Sequence, residues 1–224
     1  MIDIGISTSG PFALPSLLWA ELALDALPSN PTGLSACTIG PEGTFHIALP
    51  DDLAGAVPKR RREYLAGRLA AAHVLRRLVA PEMLGRQGRA PVWPPGIAGS
   101  ISHDDRRAVA AASRVFRQLG VDCEQPIPET EAPALAREIL APGDAAAQPA
   151  GMAFGHFLTV VFSAKEAFYK AIAAEAGRML DFHEVTLAGW APDRLHLAWA
   201  GQGETVFWHL GPQGCTTLCV RGPA

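Results

Sequence analysis

Two carboxylates sit two residues apart in Gly120-Val121-Asp122-Cys123-Glu124. In an extended strand, residues i and i+2 point to the same side, about 7 Å apart at Cα. Asp122 and Glu124 then share one face, and Val121 and Cys123 turn to the core. Two buried carboxylates are costly unless a cation neutralises them. Hard oxygen donors without a neighbouring histidine suit Mg²⁺ better than zinc. A strand end that simply reaches solvent accounts for the dipeptide pattern equally well.

A second group is Phe162-Ser163-Ala164-Lys165-Glu166-Ala167-Phe168-Tyr169-Lys170. On a helix, Glu166 and Lys170 are i, i+4 neighbours. That spacing serves a carboxylate acting as metal ligand or general base beside an ammonium that contacts phosphate. It also serves an ordinary ion pair, with Ser163-x-x-Glu166 as a capping box that starts the helix. The chain carries 16 arginines but only Lys59, Lys165 and Lys170 as lysines. Two ammonium groups within six residues point to a need for compact charges that arginine does not supply.

Two further groups read as anion binders. Gly99-Ser100-Ile101-Ser102-His103 lacks the GxSxG pattern of a nucleophile elbow. Ser102 and His103 could hydrogen-bond a phosphate, or His103 with Asp104 and Asp105 could ligate a metal. Arg60-Arg61-Arg62-Glu63-Tyr64-Leu65-Ala66-Gly67-Arg68 is strongly basic. Arg61 and Arg68 lie about 20° apart around a helix, whereas Arg60 falls in its first turn. Guanidinium groups suit phosphate, although a basic solvated face has the same composition. There is no Walker A loop and no GxGxxG.

The elements that must carry these residues follow from periodicity. Lys59 to Leu78 reads as a helix with Pro58 at its first turn. Ser163 to Ala176 reads as a second helix and Glu131 to Leu140 as a third. Residues 85–99 read as Gly/Pro-rich loop. Ala108–Ser113 and Leu119–Glu124 read as strands. After Asp181, four stretches alternate as strands: Glu184–Trp190, Arg194–Ala200, Glu204–Leu210 and Cys215–Arg221. In residues 1–58, Trp19–Leu27 has helical periodicity and Gly43–Leu49 reads as a strand, while Pro28, Pro31, Pro41 and Pro50 break the rest. This order predicts an α+β protein in two halves, 1–118 and 119–224.

Composition sets the outer bounds. With 224 residues, 49% hydrophobic and 18% charged, the chain can bury a sizeable core and is not disordered. No apolar run reaches the ~20 residues of a membrane helix, and Met1-Ile2-Asp3-Ile4 lacks the basic start of a signal peptide. Four cysteines without a CxxC pair fit neither a disulfide scaffold nor a cysteine zinc site. A cytoplasmic protein is the expectation. Charge is segregated: residues 1–58 hold six acids and no Lys or Arg, 59–89 carry a net +7 and 121–145 a net −5. That pattern suits a polyanion site and a cation site. A net charge of −3 disfavours general nucleic-acid binding.

Taken together and in this order, the four groups resemble the 4′-phosphopantetheinyl transferases, of the single-chain type that includes siderophore-synthesis members. The matching stretches are RRREYLAGR (60–68), RAPVWPPGIAGSISH (89–103), GVDCE (120–124) and FSAKEAFYKA (162–171), about half the chain. The resemblance implies two similar α/β halves related by a pseudo-twofold axis, with antiparallel sheets packed by helices. It implies transfer of phosphopantetheine from coenzyme A to a serine of an apo acyl or peptidyl carrier protein, with adenosine 3′,5′-bisphosphate released. By motif position, Asp122, Glu124 and Glu166 would hold Mg²⁺, and Glu166 would also be the base. Lys170 would contact the transferring phosphate, with Lys165 nearby. Arg60 or Arg61, together with Arg68, Ser102 and His103, would hold the coenzyme A phosphates, and Arg89 would lie by the nucleotide. A monomer suffices for such a site. A metal-dependent phosphohydrolase and a non-catalytic carrier-binding module remain as alternatives.

Overall fold

The computed structural model describes residues 2–38 and 43–223; the predicted chain break at Pro41 lies outside them. The chain divides into two compact units, Met1–Val115 and Phe116–Ala224. The fold is a mixed α/β one in which the larger sheets are antiparallel.

The N-terminal unit is organised by helix α1, Pro58–Arg77. Proline at its first position costs nothing, because that amide has no partner inside the helix. From Leu65 to Leu75 every residue is buried, and four of these are alanines. Small side chains let the helix lie close on an antiparallel sheet of β2 (Leu18–Ala23), β8 (Arg107–Ser113) and β7 (Ala98–His103), in that order. The alanines Ala20, Ala70, Ala71, Ala110 and Ala112 meet in one apolar cluster. A second sheet joins β1 (Ile2–Asp3), β3 (Gly33–Thr38) and β4 (Thr44–Ala48), with β1 and β3 parallel.

Two expectations change here. The helical periodicity of Trp19–Leu27 gives way to strand β2 and a short 3₁₀ turn, Leu24–Ala26. Six residue pairs with β8 override a weak local preference. The Gly/Pro-rich stretch 85–99 contains a small hairpin, β5 (Gly85–Gln87) with β6 (Ala90–Val92), and the start of β7. Proline is tolerated there because the hairpin has free edges.

The C-terminal unit is one five-stranded antiparallel sheet packed against one long helix. Its order is β10 (Thr186–Ala191), β11 (Arg194–Trp199), β12 (Gln202–Gly211), β13 (Gly214–Pro223) and β9 (Phe116–Glu124). All four alternating stretches after Asp181 are strands. Helix α2, Ala132–Ile139, matches its expected position. Helix α3 runs from Phe154 to Ala176, nine residues further upstream than the periodicity of 163–176 suggests. Its first half, FGHFLTVVF, is apolar on most sides because it is buried, so it carries no amphipathic signal. Gly177, at φ +62°, ends the helix in the left-handed conformation that glycine adopts freely.

Helix α3 and strand β9 touch at backbone distance. A Cβ on Gly120 would lie 1.9 Å from the Ala167 carbonyl oxygen and 2.6 Å from the Ala171 nitrogen. Only glycine allows this approach, and it brings the next residue on the same face of β9, Asp122, against the helix.

Candidate active site

The earlier start of α3 changes the meaning of its motif. Ser163 is two turns inside the helix, so the capping-box reading of Ser163 and Glu166 is wrong. Ser163, Glu166 and Lys170 instead form one stripe at i, i+3 and i+7. Asp122 lies across that stripe. Its Oδ2 accepts a hydrogen bond from Ser163 Oγ at 2.8 Å, and its Oδ1 accepts one from Lys170 Nζ at 2.6 Å. Lys170 also donates to the Val121 carbonyl at 3.2 Å. The cation that the strand carboxylate requires is therefore supplied by the chain itself. The simple Glu166–Lys170 ion pair gives way to a bond from Lys170 to Asp122.

Electrostatics couple these groups. Burial alone would pull the Lys170 ammonium down. The charge and hydrogen bond of Asp122, with smaller contributions from Cys123 and Glu166, outweigh it and hold Lys170 above its ordinary value. Glu166 is shifted the other way for a carboxylic acid. Desolvation raises its pKa, the charge of Asp122 raises it further, and Lys170 offsets part of this. A carboxylate with raised proton affinity beside a held cation can take a proton from a hydroxyl group.

Glu124, the last residue of β9, is half-buried and lines a cavity of about 320 Å³ with Leu135, Ile139, Phe162 and Phe182. Among the described residues no group of three His, Cys, Asp or Glu side chains is placed to hold a metal ion. Asp122, Glu124 and Glu166 are thus not gathered as one ligand shell. The observation that suits a cation is narrower: Asp122 and Glu166 lie close enough for the charge of one to raise the other's proton affinity.

Lys165 is not a surface cation. It is completely buried, and its three ammonium protons go to the Ile139 carbonyl at 2.8 Å, Asp144 Oδ2 at 2.9 Å and the Phe182 carbonyl at 2.9 Å. Asp144 also accepts from the Ala141 and Leu187 amides. Desolvation pulls Lys165 down against the pull of Asp144. Its role is to fasten α3 to the end of α2 and the start of β10, which removes it from the phosphate-binding set.

The predicted anion binders of the N-terminal unit are sorted by their partners. Arg60 Nη1 lies 3.1 Å from His103 Nε2 and 3.4 Å from Glu63 Oε2. A guanidinium can only donate, so this contact calls for His103 Nε2 as acceptor; the same nitrogen lies 3.8 Å from Glu63 Oε2. Arg60 and His103 keep 42% and 33% of their side-chain surface exposed, enough to meet a ligand. Ser102, the preceding residue of β7, is buried. Arg61 turns instead to Asn30 Oδ1 at 2.6 Å. Arg68 is nearly buried, donates to the Leu84 and Gly85 carbonyls, and lies over the Tyr64 ring. It lines a cavity of about 590 Å³ with Tyr64, His46 and Met83. Arg89 is exposed at the tip of the β5–β6 hairpin.

The acids that crowd this basic segment have structural duties. Asp104 closes the β7–β8 turn by accepting from the Arg106 and Arg107 amides. Asp105 pairs with Lys59, Asp52 with Arg86, and Glu21 with Arg107. The acidic N-terminal segment therefore neutralises part of the arginine excess within its own unit. Ser163 and Thr217 were missed as site residues. Thr217 faces Asp122 in the β9–β13 register, and its hydroxyl lies 2.9 Å from Ser163 Oγ. The one local signal was a serine on the Glu166–Lys170 stripe, which the capping pattern masked.

An arrangement of this kind, a carboxylate and ammonium fixed between strand and helix beside a glutamate of raised proton affinity, suits group transfer. Comparisons with known proteins give the family. Residues 49–113 match the 4′-phosphopantetheinyl transferase N-terminal domain, and residues 118–220 match the 4′-phosphopantetheinyl transferase superfamily. Enterobactin synthase component D of Escherichia coli O157:H7 is 34% identical over 166 residues, covering 72% of this chain and 77% of that protein. The 4′-phosphopantetheinyl transferase Svp of Streptomyces mobaraensis is 36% identical over 186 residues, covering 78% and 69%. The transferase Npt of Nocardia iowensis is 36% identical over 149 residues, covering 62% and 64%. The chain belongs to the 4′-phosphopantetheinyl transferase family and is an enzyme that loads carrier proteins from coenzyme A. No helix among the described residues is long and apolar enough to cross a membrane.

Proposed function

We propose that Glu166 accepts the proton of the carrier serine hydroxyl while Lys170, fixed by Asp122, contacts the phosphate under attack. The serine oxygen bonds to the phosphorus that bears the pantetheine arm. The P–O bond to the nucleotide half breaks, and adenosine 3′,5′-bisphosphate leaves with the electron pair. The hydroxyl comes from the carrier, so no nucleophile is needed in this chain. The observation that carries this reading is the Ser163–Asp122–Lys170 contact on one stripe of α3, with Glu166 between its ends and raised in proton affinity.

Asp122 and Glu166, with Glu124 as the third residue of the motif, have the oxygen donors that magnesium takes but would have to draw together to hold it; when bound it would neutralise charge on the pyrophosphate. Arg60, Ser102 and His103 are the better candidates for the coenzyme A phosphates. Arg89 serves the nucleotide, and Arg68 borders the neighbouring cavity. Arg61, held by Asn30, contributes less. The chain works as a monomer on carrier proteins of a siderophore or related peptide or polyketide assembly line.

The test is intact-mass spectrometry of apo carrier proteins of several classes, incubated with the enzyme, coenzyme A and Mg²⁺, with and without a chelator. A gain of one phosphopantetheine arm that the chelator abolishes supports both the reaction and the metal. A gain that survives the chelator removes the metal. Consumption of coenzyme A without any gain makes the protein a hydrolase.

A further inference from the structure

Asp122 is the pivot of the proposed site, and its orientation is set by two hydroxyl groups. Ser163 Oγ donates to Asp122 Oδ2 at 2.8 Å. Thr217 Oγ1 donates to the Ser163 carbonyl at 2.8 Å and lies 2.9 Å from Ser163 Oγ. Each hydroxyl has one proton. An ionised carboxylate only accepts, so the serine proton is committed to Asp122. The threonine proton is then left for the oxygens of Ser163. The direction of the chain is fixed: Thr217 to Ser163 to Asp122.

All three side chains are essentially out of solvent, with relative exposures of 3% at Asp122 and 0% at Ser163 and Thr217. They come from three elements: β9, α3 and β13. The strand pairing puts Thr217 directly across from Asp122. On α3, Ser163 stands seven residues before Lys170, so the helix grips the carboxylate at both ends. Oδ2 is held through Ser163 and Oδ1 through Lys170. Without the serine, Asp122 can rotate about its χ2 and present a different oxygen to Lys170. Glu166, placed between the two grips, would feel the charge of Asp122 from a changed position.

We propose that Ser163 and Thr217 are positioning residues for the transfer reaction. They lock the rotamer of Asp122, and so keep Lys170 and Glu166 in working alignment. The proposal rests on the reading of Asp122, Glu166 and Lys170 as the reacting group, and it assigns a task to two residues outside that group. Both hydroxyls are buried, away from the surface that a ligand would meet.

The experiment compares Ser163→Ala, Thr217→Val and Thr217→Ser with the unaltered enzyme, measuring kcat and KM for coenzyme A and the thermal midpoint. Misplacing a group by about 1 Å costs up to about 100-fold in rate, and a smaller shift costs on the order of 10-fold. Ser163→Ala and Thr217→Val should lose about that much in kcat with KM within about threefold. Thr217→Ser, which keeps the hydroxyl, should restore most of the rate. Added to Asp122→Asn, Ser163→Ala should cost almost nothing more, because the two act as one unit. A residue that only stabilises the fold would lower the midpoint, show no serine rescue and add its full cost to Asp122→Asn; that pattern overturns the proposal. So does an unchanged kcat in both Ser163→Ala and Thr217→Val. Failure of the unaltered enzyme to load any carrier overturns the underlying reading instead.

Discussion

Each unit sets a helix against an antiparallel sheet, but they place their charges in opposite ways. In the N-terminal unit the cations at the start of α1 stay partly open: Lys59 pairs with Asp105, and Arg60 leans on His103. In the C-terminal unit the two lysines of α3 are drawn onto buried carboxylates. Lys165 is sealed with Asp144, and Lys170 is clamped on Asp122. Open guanidinium groups can exchange a protein partner for a phosphate at small cost, because exposed pairs contribute little. A sealed pair such as Lys165–Asp144 holds geometry instead, and Lys170 is held on Asp122 with part of its surface open. In the proposed mechanism, the open cations would hold a polyanion and Lys170 would serve the chemistry on it.

The close helix–sheet contact offers the sharpest way to break the comparison. Gly120→Ala drives a methyl group into the backbone of α3, whose atoms have nowhere to go. The expected loss exceeds the ~1–3 kcal/mol of ordinary overpacking, read as collapse of the thermal midpoint or of soluble yield. Gly67→Ala, in α1, meets only the Ile101 Cγ2 atom at 2.8 Å. Alanine's helix propensity returns up to about 1 kcal/mol, so urea unfolding should show a change within about 1 kcal/mol.

The buried pair comes next. Lys165→Met leaves Asp144 buried without its ammonium, a loss of about 3–5 kcal/mol, measurable by urea unfolding. Lys59→Ala, at an exposed pair, should leave the midpoint unchanged. Equal effects from the two would mean that the burial contrast carries no energetic weight.

A smaller effect sharpens the electrostatic account. Burial, then the charge of Asp122, raises the Glu166 pKa, and Lys170 opposes them. Asp122→Asn should move the Glu166 titration down and Lys170→Met should move it up, as read from its carboxyl ¹³C shift. Because the folded state holds this proton more tightly than the unfolded one, Glu166 subtracts stability as pH rises through its ordinary value toward the raised one. As the proposed base, it should place the acid limb of kcat above the ordinary glutamate range.

The α+β class, the six strands from Ala108 onward, helices α1 and α2 and the residues of the four motifs were legible in the sequence. Alternation reports a half-buried strand, and Pro58 with the 3.6-residue spacing reports α1. What was hidden has one physical origin: tertiary burial erases periodicity. The first half of α3 is apolar on most sides, so its start was invisible and Ser163 passed for a cap. Strand β2 is held by pairing with β8, which local pattern does not encode. Lys165 and Lys170 are five residues apart and chemically identical in the sequence; only the fold shows that one is a fastener and the other faces Asp122.

The most direct measurement is steady-state kinetics of carrier loading by two variants, Glu166→Gln and Arg60→Ala. The account predicts that Glu166→Gln lowers kcat by about 10²–10⁴-fold, the usual contribution of a general base, with KM for coenzyme A little changed. It predicts that Arg60→Ala raises that KM and leaves kcat within a few-fold. Near-normal kcat in Glu166→Gln, or a loss confined to kcat in Arg60→Ala, would contradict the division of labour between the two units.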